Sequence, residues 1–435
     1  MRNVVVVTYD SLRADHCGHL GYDRDTTPKL DAMAAEGVTY ENAIAPASRT
    51  NPSMAGIFTG KPMVVRDRVA NPKNAREHIR AHEPIAERLS RRGYETGAFC
   101  PNAYASRYYG FDRGFDRYED FMFDSDVYQS LFEGALSDSA AYTMVRNARN
   151  FVRREEAFRT WDSYVDDIEE WAHERTEPFF LWTFSLDTHF PYLTPRSHRQ
   201  WGSLIDNYYY NWRCNRLIND LEIDLSAREK QKIIDIYDDS IRFGDALLGE
   251  LQERLAAYDP VYVVFGDHGE AFDERGLYGH FYPALYEEHV HVPLVVSGVD
   301  DTDRIEAPAT LLDLPEMLVR LADSNRFEGD RWGHDWVFAT DYDGRFDRDL
   351  TTVRTRDWKY LRTVENGDTR DELFDLRSDP AEADDRVGTD HPIEGALREL
   401  VDGWCAHENE LLAIREAVET TLGDRTEPEP VPNPN

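Results

Sequence analysis

Val4-Val5-Val6-Val7-Thr8-Tyr9-Asp10 is the stretch from which the class of fold can be inferred. Its β-branched side chains do not alternate with polar ones, which is typical of a strand buried on both faces of a parallel sheet. Open α/β sheets bind their ligands beyond the carboxyl ends of the strands. The sequence therefore predicts an α/β fold with Asp10 at the functional edge, although a capping or turn-forming aspartate is the commoner role for such a residue.

Two further apolar runs end in polar residues in the same way. Val261 to Phe265 leads into Gly266-Asp267-His268-Gly269-Glu270, and Phe179 to Phe184 leads into Asp187-Thr188-His189-Phe190-Pro191-Tyr192. Helical segments alternate with these strands; one of them, Thr27 to Gly37, has proline at its first helical position and glycine at its end. This order predicts a parallel sheet of an α/β fold, with helices between the strands. His189 lies at its rim, where a structural histidine is the alternative to a catalytic one.

Another polar position comes from the stretch Ser48-Arg49-Thr50-Asn51-Pro52-Ser53-Met54-Ala55-Gly56-Ile57-Phe58-Thr59-Gly60. Pro52 suits the first position of a short helix, and Gly60 ends it. Thr50 then lies just before the helix, where free N–H groups and the helix dipole favour an anion or an ionised hydroxyl. Taken alone, the pattern also fits a plain N-cap.

The charge of the chain narrows the range of partners. Its 435 residues carry a net charge of −34, and only six of its 49 basic residues are lysine. Such an acidic, arginine-rich surface is similar to that of proteins from salt-loving organisms. It argues against nucleic acid or anionic lipid as a partner, because both are polyanions.

The cysteines and the apolar segments bear on cellular location. The four cysteines are far apart and form no C-x-x-C pair, so they suggest neither a zinc knuckle nor a disulfide framework. We find no signal-peptide pattern and no apolar run long enough to span a bilayer. The sequence thus predicts a cytoplasmic protein without a membrane span.

The pattern changes near the C-terminus, which indicates a second unit. Short alternating segments at Thr351–Thr355, Trp358–Arg362 and Glu372–Leu376 predict a small antiparallel sheet, and a helix follows. We predict a catalytic domain over residues 1–345 and an antiparallel sheet-plus-helix subdomain over 346–424. Residues 425–435 are acidic and proline-rich, and we expect them to be disordered.

The polar residues at the strand ends can converge on one edge of the sheet. Asp10, Thr50, Asp267 and His268 together offer oxygen ligands and one nitrogen, a set that suits one divalent ion: Mn²⁺, Zn²⁺, Mg²⁺ or Ca²⁺, with Mn²⁺ or Zn²⁺ favoured. Such an ion would lower the pKa of the Thr50 hydroxyl and make it a nucleophile. His189 and His280 would contact the substrate's oxygens or protonate the leaving group.

Several motifs resemble those of the sulfatase family within the alkaline-phosphatase superfamily, almost from end to end. They are Val4 to Arg13, Pro52-Ser53 with Ile57-Phe58-Thr59-Gly60, His189-Phe190-Pro191-Tyr192, Gly266-Asp267-His268-Gly269-Glu270, Tyr286-Glu287-Glu288 with Val292-Pro293-Leu294, and Trp358-Lys359-Tyr360 with Glu372 to Leu376 and Asp379-Pro380. The resemblance implies an alkaline-phosphatase-like fold, with a large mixed, mostly parallel sheet sandwiched by helices. It also implies a small-molecule or glycan sulfate or phosphate ester as substrate. It also implies substrate contacts from Arg49, Lys61, His189 and His280.

The chain departs from the family pattern at four positions. Thr50 stands where family members carry the cysteine or serine that becomes formylglycine, and threonine cannot give that aldehyde because its Cβ bears a methyl group. Met54 replaces the signature arginine, Ser11 replaces a second metal-binding aspartate, and His280 lies about where a lysine is expected. We therefore expect no formylglycine. The threonine site resembles that of phosphoglycerol transferases and phosphodiesterases of the same superfamily.

Three interpretations follow from these residues. The first is a metal-dependent hydrolase of sulfate or phosphate esters with Thr50 as nucleophile. The second is a transferase of phosphoglycerol or phosphodiester type, which passes the same threonine adduct to an alcohol. The third is a non-catalytic binding protein. This interpretation is disfavoured by the retention of a hydroxyl at position 50 and of Asp10, Asp267, His268 and His189.

Overall fold

The computed structural model describes residues 1–64, 72–121, 159–176, 178–218, 225–324 and 327–422. Within these ranges the chain forms a nine-stranded sheet, a four-stranded sheet and a two-stranded ribbon. The strands are β1 (Val4–Tyr9), β2 (Val38–Ile44), β3 (Glu95–Phe99), β4 (Arg117–Glu119), β5 (Phe179–Ser185), β6 (Val261–Gly266), β7 (Ala271–Phe272), β8 (Tyr278–Gly279), β9 (His291–Ser297), β10 (Asp303–Ile305), β11 (Ala309–Thr310), β12 (Trp336–Asp343), β13 (Arg348–Thr355), β14 (Trp358–Glu365) and β15 (Asp368–Asp375).

Helices cover both faces of the large sheet and one face of the small one. They are α1 (Pro28–Glu36), α2 (Thr50–Thr59), α3 (Pro72–Ala81), α4 (Ile85–Ser90), α5 (Val165–His173), α6 (Leu204–Ile218), α7 (Ala227–Arg254), α8 (Glu287–Val290), α9 (Leu314–Asp323) and α10 (Pro392–Leu422). None of the helices in the described ranges combines the length and the apolar character that crossing a bilayer requires.

The large sheet has the strand order β10-β2-β9-β6-β1-β5-β3-β4, with β11 also paired to β2. All of its pairs are parallel except the two that β9 makes with β6 and β2. The predicted mixed, mostly parallel sheet is therefore confirmed. Because β9 alone is reversed, the other strands end at the same edge.

The central strand β1 is buried on both faces, as its sequence predicts. Val4 and Val6 belong to one apolar cluster, whereas Val5 and Val7 belong to another on the opposite face of the sheet. Helices α2, α4 and α9 contribute to the first cluster, and α1, α5 and α7 to the second. Successive side chains of a strand point to opposite faces, so a strand covered by two helical layers is apolar throughout.

The small sheet has the order β12-β13-β14-β15 and is antiparallel throughout. Leu397 and Val401 of α10 pack on it beside Val353 and Tyr360. Strand β12 pairs with β13, so the small sheet begins before the predicted boundary between residues 345 and 346. The division into two domains stays a prediction. The predicted disordered segment 425–435 lies outside the described residues.

Candidate active site

The residues that follow β1 and β6 meet at the carboxyl edge of the large sheet. Asp10 comes directly after β1, Asp267 and His268 come directly after β6, and all three are fully buried. Asp267 Oδ1 accepts hydrogen bonds from the backbone N–H of Ser11 at 3.1 Å and of His268 at 2.8 Å. Ser11 has a φ of 60°, a left-handed conformation at the turn in which its N–H donates to that oxygen.

Asp10, Asp267 and His268 form a group in which one ligand atom from each residue lies within 4.8 Å of the others. Nε2 of His268 is 3.6 Å from an oxygen of each aspartate. The carbonyl of Gly269 accepts from Nδ1 of His268 at 2.8 Å, so Nε2 is left with its lone pair facing the carboxylates. Among the described residues, this is the one group of three or more possible ligands of this kind.

Burial makes this group electrostatically unfavourable without a cation. Burial raises the pKa of Asp10, and burial together with the charge of Asp10 raises the pKa of Asp267 well above its usual value. Burial also lowers the pKa of His268, which favours its neutral form. Asp267 Oδ2 is buried and has no hydrogen-bond partner. The two carboxylates, one of which has an unpaired oxygen, and a neutral imidazole are together a donor set that fits a divalent metal ion.

Thr50 lies beside this group. Its Oγ1 is 3.1 Å from Nε2 of His268, and its side chain belongs to the first turn of α2. The helix begins at Thr50 with Arg49 as N-cap, two residues earlier than the predicted start at Pro52. Pro52 is tolerated there because the first N–H groups of a helix have no intrahelical acceptor. Ser53 fastens this turn to the end of β6 by donating its hydroxyl to the carbonyl of Asp267 at 2.6 Å.

His189 and His280 complete one side of the site. The ring of His280 has its centroid 4.5 Å from that of His268 and 5.1 Å from that of His189. Nδ1 of His280 donates to Oε1 of Glu270 at 3.2 Å. Burial disfavours the cationic imidazole of His280, but Glu270 outweighs that effect and raises its pKa. The structure thus places a readily protonated imidazole beside the possible metal ligands Asp10, Asp267 and His268.

Sequence reasoning missed two residues of the site. Asn102 follows β3, and its Nδ2 donates to Oδ2 of Asp10 at 2.5 Å. Glu270 ends the motif that begins at Gly266, and no role is predicted for it from the sequence. In the structure it binds both His280 and the hydroxyl of Tyr192. Asn102 follows a parallel strand, but its local sequence does not distinguish it from an ordinary turn residue.

Arg49 and Lys61, the two basic residues predicted to contact the substrate, have different positions in the structure. The Arg49 guanidinium forms ion pairs with Asp341 and Asp343 of β12. Lys61 follows the C-terminal end of α2, and a ten-residue helix is about 15 Å long, so Lys61 lies at the end remote from Thr50. Neither placement supports a substrate contact, and both roles stay predictions.

The comparison with known proteins places the chain in a family. The sulfatase family model matches residues 2–324. Arylsulfatase K of Mus musculus is 22% identical over 465 aligned positions, which cover 92% of this chain and 79% of the mouse protein.

Solved structures show the same fold. The phosphonate monoester hydrolase of Agrobacterium radiobacter superposes with a TM-score of 0.65 at 18% identity and covers 96% of both chains. A protein solved in complex with its substrate D-glucosamine-2-N,6-O-disulfate superposes with a TM-score of 0.64 at 14% identity, over 94% of this chain and 98% of that one. This likeness confirms the alkaline-phosphatase-like fold that the motifs implied. Because the family model covers most of its length, this chain belongs to the sulfatase family and is a hydrolase of sulfuric or phosphoric esters.

Proposed function

We propose that this hydrolase uses the hydroxyl of Thr50 as its nucleophile, at a divalent-metal site formed by Asp10, Asp267 and His268. The observation that carries the proposal is the 3.1 Å separation between Thr50 Oγ1 and Nε2 of His268, within the buried group of acids. Sulfatases are metal-dependent enzymes, and these side chains would hold the ion. When bound, the ion would supply a positive charge that lowers the pKa of the hydroxyl and polarises the substrate.

The chain's own residues support each part of the chemistry. The first turn of α2 presents its N–H groups and the positive end of its dipole to Thr50, which favours negative charge on Oγ1. Asn102 orients Asp10 through the hydrogen bond to Oδ2. His280, held by Glu270, is protonated more readily than a free imidazole and suits the role of acid.

In the proposed reaction the Thr50 hydroxyl first loses its proton to solvent, and the alkoxide Oγ1 then forms a bond to phosphorus or sulfur while the bond to the leaving ester oxygen breaks. His280 gives its proton to that oxygen, and His189 holds a non-bridging oxygen. Neutral His280 then accepts a proton from the water that attacks the threonine ester, and the bond from Oγ1 to phosphorus or sulfur breaks. This step restores the Thr50 alkoxide and releases phosphate or sulfate, or a phosphate monoester when the substrate is a diester. Each residue acts in both half-reactions, as microscopic reversibility requires.

Two residues favour phosphorus over sulfur. Threonine cannot form the aldehyde hydrate on which formylglycine sulfatases depend. Met54, at the place of the signature arginine, is completely buried in the apolar core, so it brings no charge to the site. We infer that a phosphate ester or diester is the preferred substrate, with sulfate esters of small molecules or glycans as the other class.

A transferase is the second candidate, because the same threonine adduct can pass to an alcohol. The shared feature is Thr50 itself, which resembles the nucleophile of phosphoglycerol transferases. Adding glycerol to the assay and analysing products distinguishes the two, since a transferase yields a glycerol ester in place of free phosphate.

The acidic composition favours assays in concentrated KCl. Adaptation to salt and a cytoplasmic location stay predictions.

The test is a panel of p-nitrophenyl phosphate, bis(p-nitrophenyl) phosphate, p-nitrophenyl phenylphosphonate and p-nitrophenyl sulfate, each assayed with Mn²⁺, Zn²⁺, Mg²⁺ or Ca²⁺. We expect turnover of at least one phosphorus ester and a loss of at least a thousandfold in Thr50→Ala and in Asp267→Asn. Unchanged turnover in both variants would refute the assignment.

A further inference from the structure

The loop that leads into Thr50 is held by the C-terminal sheet. The carbonyl of Pro46 accepts from the N–H of Thr340 at 2.9 Å. Ser48 donates both its N–H and its hydroxyl to Oδ2 of Asp341, at 3.2 and 2.6 Å. These bonds place β12 directly against the segment that precedes the proposed nucleophile.

Arg49 makes the densest part of this contact. Its guanidinium pairs with the carboxylates of Asp341 and Asp343 and donates to the carbonyl of Tyr342 at 2.9 Å. Asp343 also pairs with Arg345, so two guanidinium groups balance two carboxylates here. Arg49 is 8% exposed, Asp341 4% and Asp343 0%. A planar guanidinium shared by two buried carboxylates has little freedom to shift.

The position of Arg49 determines that of Thr50. Arg49 is the N-cap of α2, and its carbonyl accepts from the N–H of Ser53 at 3.1 Å, which closes the first turn around Thr50. We propose that Asp341 and Asp343 are positioning residues for the reaction: through Arg49 they set where the Thr50 hydroxyl lies relative to His268. This inference rests on the proposed function of Thr50.

The inference assigns the small sheet a part in catalysis. The large domain would supply the nucleophile and the metal ligands Asp10, Asp267 and His268. Strand β12 of the small sheet would fix the distance between the nucleophile and these ligands. A displacement of about 1 Å of a reacting group is enough to lower a rate about a hundredfold. Loss of either carboxylate should therefore lower kcat and leave KM nearly unchanged, because neither aspartate contacts the substrate in this scheme.

The experiment compares Asp341→Asn and Asp343→Asn with Glu382→Gln as matched control. Glu382 is also a buried carboxylate of the C-terminal part, and it binds the large domain through the N–H of Glu287 at 2.6 Å. Its other partner is Lys359 of β14 at 2.9 Å, and it forms no hydrogen bond with the described residues 46–50. Turnover of bis(p-nitrophenyl) phosphate with Mn²⁺ is measured at a temperature where circular dichroism shows each variant folded. Calorimetric titration with Mn²⁺ alone measures the Kd for the ion and so tests whether the proposed metal ligands are still in place.

We expect kcat to fall ten- to a hundredfold in both aspartate variants, with KM and the Kd for Mn²⁺ within threefold of wild type. Glu382→Gln should keep kcat within twofold of wild type, even if its melting temperature falls as much as those of the aspartate variants. Two results would overturn the inference: wild-type kcat in both aspartate variants while Thr50→Ala is inactive, or an equal loss in Glu382→Gln. Full activity in Thr50→Ala would instead refute the proposed function itself.

Discussion

Nδ1 of His280 lies 3.2 Å from Oε1 of Glu270, and the other oxygen of Glu270 accepts from the hydroxyl of Tyr192. This arrangement predicts that Glu270→Gln lowers the pKa of His280 and so the fraction of His280 that carries a proton to donate, since the carboxylate charge stabilises the imidazolium. We expect kcat/KM to fall more than tenfold for an alkyl phosphate ester, whose leaving group needs a proton, and less than threefold for a p-nitrophenyl ester. The measurement is the dependence of log(kcat/KM) on the pKa of the leaving group, which should become steeper in the variant.

Tyr192→Phe serves as the control for this prediction. It removes a donor to the same carboxylate but leaves the negative charge beside His280, so the slope against leaving-group pKa should stay close to that of wild type. Equal losses for alkyl and p-nitrophenyl esters in Glu270→Gln would show that His280 does not protonate the leaving group.

The unpaired oxygen of Asp267 predicts where metal binding will be most sensitive. Asp267→Asn replaces one buried charged ligand by an amide, and we expect the affinity for Mn²⁺ or Zn²⁺ to fall at least a hundredfold. Bound metal stabilises the folded state by mass action, so the ion should raise the melting temperature of wild type but not of the variant. Asp187→Asn is the control, because Asp187 is a buried carboxylate outside the ligand group. A wild-type thermal shift in Asp267→Asn would contradict the prediction.

The convergence of Asp10, Asp267 and His268 was predictable because it needs only local information. Each residue follows an apolar run, and parallel strands bring such ends to one edge of a sheet. The reversed direction of β9 was not predictable in this way, since a fully buried strand has the same apolar pattern whichever way it runs. The start of α2 was displaced by two residues, because proline is tolerated throughout the first turn.

The contacts made by Arg49 and Asn102 were beyond the reach of local patterns. Arg49 meets Asp341 across 292 positions of sequence, and no periodicity relates an arginine in a loop to an aspartate in a distant antiparallel strand. Asn102 follows Cys100 and Pro101, where asparagine is typical of an ordinary turn. Its role is visible only once β3 is placed two strands from β1.

Asp245 predicts a pH dependence of stability away from the site. Its carboxylate accepts the N–H groups of Lys29 and Leu30 at 2.7 and 2.9 Å and so caps α1, but burial is the larger effect and raises its pKa to about 7. The folded state therefore binds this proton more tightly than the unfolded state, whose aspartate pKa is about 3.9. The contribution is fully present below about pH 4 and is lost as the pH rises through about 7.

The free energy of unfolding of wild type relative to Asp245→Asn should accordingly decrease between pH 4.5 and 7.5, by up to about 4 kcal/mol. Denaturant unfolding at constant salt concentration measures it, and subtracting the variant removes the contribution of all other titrating groups. A difference that is constant across this range would show that Asp245 has the same pKa in both states.

Asn102 offers a test of how strictly Asp10 must be oriented. Its amide binds Oδ2 of Asp10 at 2.5 Å, while its Oδ1 accepts from the N–H of Tyr104 at 2.7 Å, so the side chain is held at both ends. Residues that orient metal ligands typically change metal affinity or activity by about 10- to 100-fold when they are removed. We expect a loss in this range in Asn102→Ala, in Mn²⁺ affinity by calorimetry or in kcat/KM. Asn42→Ala, which removes contacts to Glu306 and Arg354, should change neither quantity. Wild-type values of both in Asn102→Ala would mean that Asp10 is oriented without Asn102, for example by the Ser11 hydroxyl, which donates to its Oδ1 at 2.9 Å.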